Sequence, residues 1–223
     1  MLDRRVATYS EAIRGVKDGD TVLINGFGGS GVPLGLIEAL IEAKVRDLTV
    51  VANNAGASTR DVGWLLAEGR VRKVVCSYPR SPTSTIFAEL YAAGKVELEL
   101  VPQGTFVERM RCAGAGLGGF FTPVAAGTAL AEGKETRIID GTEYVFEKPL
   151  HGDVTLLKAE KADRLGNLTY RKLARNMGPA MATAGRLVIA EADEIVEVGA
   201  IKPEEVVTPS VFVDRVVARG APR

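Results

Sequence analysis

Histidine is nearly absent from this chain. Among 223 residues there is one, His151, in the stretch EKPLHGDV, with no serine, cysteine or carboxylate arrangement beside it. A hydrolase-type triad is therefore not evident, and His151 reads as a structural or surface residue. Cysteine is also scarce: Cys76 and Cys112 are too few for a disulfide framework and lack the spacing of a metal-ligand set, which fits a reducing cytosol. No apolar run is long enough to span a bilayer, and the N-terminal MLDRRVATYSEAIRG is charged and helical in pattern where a signal peptide would be apolar. Neither sign of charge dominates, because 28 basic residues balance 28 acidic ones. No global field then draws nucleic acid or an anionic membrane, and an anionic ligand has to be held by local groups. These absences lead us to expect a cytoplasmic protein with no metal centre, no nucleic-acid partner and no membrane association.

What is present is an ordinary globular composition, 46% apolar and 25% charged, which argues against disorder. Apolar runs TVLIN, LTVVANN, VRKVVCSY and VELELVP are separated by the helical stretches PLGLIEALIEA, STRDVGWLLAEG and STIFAELYAAG. This alternation predicts βαβ units: an α/β fold whose mainly parallel sheet is covered on both faces, a three-layer sandwich. After Val101 the rhythm changes. QGTFVERMRCAGAG reads as a helix, and RIIDGTEYVFE reads as a hairpin turning at Asp140-Gly141, a short antiparallel insertion. Strand patterns then return in VTLLKAEKAD, RLVIAEADEIV and VFVDRVV, with YRKLARNMGPAMATAG as a helix between the first two. No repeat or linker divides the chain, so residues 1–223 are expected to form one domain.

The first strand runs into glycines spaced as G-x-G-x-x-G at Gly26, Gly28 and Gly31, followed by Pro33 and a helix. Glycine lets backbone approach a ligand closely, and the N–H groups and dipole of a helix start favour an anion. A dinucleotide site also needs an acidic residue about twenty positions on, where this chain has Asn53-Asn54 instead. That leaves a different anionic or carbonyl-bearing ligand, or a tight turn without one. In a parallel sheet the strand ends share an edge, so Gly26–Gly31, Asn53, Asn54, Tyr78–Arg80, Gln103 and Gly104 should meet at one crevice. Amides there would polarise a carbonyl without taking part in proton transfer; turn chemistry is the competing role for each asparagine. Glu108 is the one candidate nucleophile, but its place one helical turn before Arg111 favours a surface ion pair.

Taken in order, DGDTVLINGFGGSGVP, LTVVANNAG, VELELVPQGTFVERMR, GAGLGGFFTP, EGKET, KADRLGNLTYRKLARNMGPAMATA and TPSVFVDRVV resemble the A (alpha) subunits of the family I 3-oxoacid CoA-transferases. The likeness runs over nearly the whole chain. VRKVVCSYPR is most similar to 3-oxoadipate-using members, and RCAGAGLGG to acetate- and acetoacetate-using ones. The resemblance implies an enzyme component without a permanently bound cofactor, using CoA thioesters as substrates. Succinyl-CoA would give its acyl group to an active-site glutamate, and CoA would return as an enzyme-bound thioester before moving to a 3-oxoacid. That glutamate belongs to the B (beta) subunits of the family, so an obligate B-type partner, in an A2B2 heterotetramer, is implied. The loop Gly26, Phe27, Gly28, Gly29, Ser30, Gly31 would then line the CoA and acyl cleft. Asn25 stands where the commoner GGFG signature has its first glycine. Asn53, Asn54, Gln103 and Gly104 would lie around the acyl group, and Arg80 is the candidate for a second substrate carboxylate. A stand-alone ligand-binding or sensor domain is the alternative of another class, and a nicotinamide-dependent oxidoreductase ranks last.

Overall fold

The computed structural model of the chain describes residues 2–58 and 60–223. Met1 and Thr59, each in a stretch the sequence reads as helical, lie outside the described residues. The first half follows the expected alternation: β2 (Thr21–Ile24), α2 (Leu34–Glu42), β3 (Leu48–Val51), α3 (Val62–Ala67), β4 (Val71–Cys76), α4 (Ile86–Ala92), β5 (Glu97–Leu100) and α5 (Gln103–Gly114). Ahead of it, the N-terminal stretch is not one helix but β1 (Arg5–Val6) and the single turn α1 (Tyr9–Ala12). Thr8 stops the helix from extending backward, since its extended backbone lets the side chain cap Glu11 N–H.

The second half supplies β9 (Gly152–Asp163), α6 (Gly178–Ala184), β10 (Gly185–Val196) and β11 (Arg215–Ala218). Their strands join the first set in one eight-stranded sheet, ordered β1-β11-β10-β9-β2-β3-β4-β5. Every adjacent pair in it is parallel. Parallel strands buried on both faces need apolar residues at successive positions, and VLI in β2 and VVC in β4 supply them. On one face, Leu36, Ile37 and Leu40 of α2, Leu65 and Leu66 of α3 and Phe87 of α4 pack over Val22, Val50 and Val74. On the other, Phe106 and Met110 of α5 and Met181 of α6 pack over Leu23, Val51 and Val75. The expected three-layer α/β architecture is what these two cores build. No described helix is long and apolar enough to cross a membrane.

Between α5 and β9 lies the antiparallel insertion, β6 (Phe120–Thr122), β7 (Thr136–Ile139) and β8 (Thr142–Glu147), ordered β6-β8-β7. Asp140 and Gly141 turn its hairpin with φ of +47° and +78°, the paired positive angles such a two-residue turn demands. Charged groups anchor the insertion to the sheet. Arg109 of α5 bonds the Lys148 carbonyl, just past β8, at 2.8 Å and Glu99 of β5 at 2.8 Å; within the insertion, Lys134 meets the buried Glu147 at 2.6 Å.

One stretch departs from expectation. Residues 170–185 read as a single helix, yet the structure has a 3-10 turn at Lys172–Arg175, a break at Asn176 and only then α6. Pro179 explains where α6 can begin, because proline is tolerated only in a first turn. Asn176 holds φ +23° and ψ −115°, which ends the preceding turn.

Candidate functional site at the strand ends

The C-terminal ends of β3, β4 and β5 meet around Asn53. Its backbone carbonyl accepts from Ser77 N and Tyr78 N, both at 3.2 Å. Its side-chain Oδ1 accepts from Ser77 Oγ at 3.1 Å and from Gln103 Nε2, at the start of α5, at 2.7 Å. With both acceptor positions of Oδ1 used, the buried Asn53 keeps Nδ2 as a donor without an intramolecular partner among the described residues. Asn54 does something different: its Oδ1 caps Gly56 N at 2.9 Å, an Asx turn. Turn chemistry thus accounts for one of the two asparagines and not for the other.

A cleft of about 490 Å³ opens here, lined by Phe27, Gly28, Asn53, Asn54, Tyr78, Arg80 and Gln103 among others. Phe27 and Tyr78 are exposed beside it. Arg80 is exposed and has no hydrogen bond or ion pair among the described residues, so its guanidinium is free to meet an anion. Gly104 is exposed on α5 and is not part of this lining. Among the described residues, no carboxylate, histidine or cysteine lines the cleft. Glu108 is paired with Arg111, whose hydrogen bonds hold its carboxyl below the usual range. Cys76 lies sealed in the core, where burial pushes its thiol up to about 12, and His151 is exposed away from the cleft.

The glycine loop is not the helix-start cradle that its spacing suggests. Phe27 and Ser30 bond each other both ways, Phe27 N to Ser30 O at 3.0 Å and Ser30 N to Phe27 O at 2.9 Å. Gly28 and Gly29 form the hairpin tip, with φ of +55° and +84°. The start of α2 is already occupied. Buried Glu191, from β10, accepts from Gly35 N at 2.8 Å and Leu36 N at 3.3 Å, satisfying the donors a phosphate would use. Burial pushes the Glu191 carboxyl up, against the pull of Lys158 and these two N–H groups. A sequence signal for Glu191 did not exist, since it acts across 156 positions.

The hairpin separates two clefts. Phe27 and Gly28 face the one already described; Gly29, Ser30 and Gly31 line a second, of about 780 Å³, with Lys158, Asp193 and Leu173. In the second cleft Lys158 and Arg219 both bond Asp193, at 2.6 and 3.0 Å. The loop residues therefore do not all serve one space.

This architecture recurs in solved CoA-transferases. An acyl-CoA transferase from Escherichia coli O157:H7 superposes with a TM-score of 0.85 at 21% identity, covering 97% of this chain and 47% of that one. Glutaconate coenzyme A-transferase from Acidaminococcus fermentans gives 0.85 at 20% identity, over 96% of this chain and 75% of that one. The chain thus spans about half the length of the E. coli transferase, and at these identities the likeness is one of fold.

The chain belongs to the coenzyme A transferase family, which it matches over residues 6–219. It is 53% identical to the A-type subunit of 3-oxoadipate CoA-transferase from Pseudomonas putida, over 98% of this chain and 94% of that protein. It is 48% identical to the A-type subunit of succinyl-CoA:3-ketoacid coenzyme A transferase from Xanthomonas campestris pv. campestris, over 98% and 90%. The resemblance carried by the ordered motifs is borne out.

Proposed function

We propose that this chain, read as one domain over residues 1–223, is the A-type component of a two-part CoA-transferase that moves CoA from succinyl-CoA to a 3-oxoacid. 3-Oxoadipate is the favoured acceptor and acetoacetate the next. The observation that carries the reading is the make-up of the Asn53 cleft, which has amide donors, a free guanidinium and apolar walls but, among the described residues, no carboxylate, histidine or cysteine. Such a cleft fits an acyl group and needs a carboxylate from elsewhere, which a B-type partner would supply as its glutamate in an A2B2 assembly in the cytoplasm. CoA enters as a thioester substrate, with no permanently bound cofactor.

In this division of work the acyl carbonyl lies near Asn53 and Gln103. Charge that builds on its oxygen, as the partner's glutamate attacks, is met by amide N–H groups already fixed by the Asn53–Gln103 and Asn53–Ser77 bonds. Phe27 and Gly28 close one side, with Asn54 at the rim. Arg80 pairs with the distal carboxylate of a dicarboxylic acceptor, which would otherwise be left without a counter-ion. The test is reconstitution. The purified chain alone should exchange no CoA, and adding the B-type partner should produce exchange between succinyl-CoA and 3-oxoadipate. Activity from the chain alone, or none from the complex with any 3-oxoacid, would overturn the assignment.

A further inference from the structure

The tip of the glycine hairpin has no side chain of its own to anchor it. A Cβ added at Gly28 or Gly29 would point into open space, with no heavy atom within 4 Å. Its position against the Asn53 cleft is then set at its root, and there the chain has built a clamp. Asn176 Nδ2 donates to Ser30 O at 3.2 Å and to Ala174 O at 3.2 Å. Asn25 Nδ2 reaches the same Ala174 carbonyl, at 3.2 Å. Gly31 packs so closely on this turn that an added Cβ would lie 2.5 Å from Ala174 O.

Asn176 is strained while doing this. Its φ of +23° with ψ of −115° lies outside the regions that L residues ordinarily occupy, a conformation that persists only where surrounding structure imposes it. Two contacts impose it: Asn176 Oδ1 accepts from Met177 N at 2.6 Å, and Asn176 N donates to Leu173 O at 3.1 Å. Behind them Met177, Met181 and Ala182 are buried in the core under α6. A glycine would adopt this backbone with less strain, having no Cβ, but it would have no Nδ2 to give Ser30. The side chain is what makes the strained position useful.

We infer that Asn176 is a positioning residue that fixes the Phe27–Ser30 hairpin against the acyl cleft, carrying the rigidity of the α6 core to the loop. This rests on the CoA-transferase reading for its catalytic consequence, though the clamp itself does not. Asn176→Gly, in complex with the B-type partner, tests both. The side chain's bonds to Ser30, Leu173, Ala174 and Met177 are lost while the backbone strain is eased, and because the two effects oppose each other the melting temperature should hold. Hydrogen exchange at the Phe27 and Ser30 amides should accelerate, and kcat/KM for acyl exchange should fall by about tenfold to a hundredfold, the scale of a small misplacement at a reacting site. A loss of activity at unchanged stability is a result that a merely structural asparagine would not give. Unchanged exchange at those two amides overturns the inference, as does a parallel fall in melting temperature and activity. If the wild-type complex transfers no CoA, the assigned function fails, while the amide exchange still decides the clamp.

Discussion

A single methyl group added at Gly31 and, separately, at Gly28 should have very different consequences, although both glycines sit in one hairpin. Both have positive φ, +77° and +55°, so alanine at either incurs the left-handed cost of about 1 kcal/mol. At Gly28 that is all, because the new Cβ meets open space. At Gly31 the Cβ would lie 2.5 Å from Ala174 O and 2.9 Å from Asn176 Nδ2. To reach an ordinary contact of 3.4 Å, the hairpin and the 172–175 turn must part by about 0.9 Å. The near neighbour is backbone, which cannot rotate away, and overpacking of this kind costs about 1–3 kcal/mol. Gly31→Ala should thus lose about 2–4 kcal/mol against about 1 for Gly28→Ala. In a chain of this size that is a fall in melting temperature of about 4–16 °C against about 2–4 °C. Differential scanning fluorimetry on the two variants reads the difference directly. Equal shifts would refute the packing of Gly31 on the turn, and a larger shift at Gly28 would refute the open tip.

Asn53→Ala, or Gln103→Ala, should leave folding intact and lower turnover of the reconstituted complex by about a hundredfold, the scale of a lost oxyanion donor; wild-type rates would remove that amide from the site. Arg80→Ala should cut kcat/KM for 3-oxoadipate by about tenfold to a hundredfold, a charge-assisted hydrogen bond's worth, while sparing acetoacetate. Equal losses on both acids, or none, would show that Arg80 does not read a distal carboxylate. Glu191→Gln tests the occupied start of α2. Because burial raises the Glu191 carboxyl in the folded chain, its contribution to stability is fully present below the ordinary carboxylate range and is lost as pH rises through the raised value. The variant should therefore gain in melting temperature relative to wild type as pH is raised from about 4 to about 7. A gap that stays constant with pH would contradict a raised carboxyl there.

The parts of the fold that local chemistry determines could be read from the sequence. Alternating apolar runs and amphipathic stretches gave the order of β2 to α5, with ends off by up to a few residues, and Asp140-Gly141 gave the hairpin, because both patterns report on neighbours a few positions away. The convergence of Asn53 and Gln103, 50 positions apart, followed from the rule that parallel strands share an edge. What could not be read depends on distant partners. The G-x-G-x-x-G spacing suggested an anion at the start of α2, whereas a carboxylate from β10 fills that place, delivered by a sheet order that sets β10 one strand from β2, across β9. The helix expected over 170–185 breaks at Asn176, whose side chain bonds the distant glycine hairpin, an interaction invisible to periodicity. Asn54 and Gly104 match the pattern of a site, yet one caps its own turn and the other lies outside the cleft lining.

The most direct test of the division of work between the two partners is to find where CoA becomes attached. The complex with the B-type partner would be incubated with succinyl-CoA alone, so that the enzyme-bound thioester accumulates, and both chains would be analysed by mass spectrometry. The Asn53 cleft holds amides and a guanidinium but, among the described residues, no carboxylate, so the CoA adduct should appear on a glutamate of the partner and on no residue of this chain. An adduct on Glu108, or on any other carboxylate of this chain, would contradict that division.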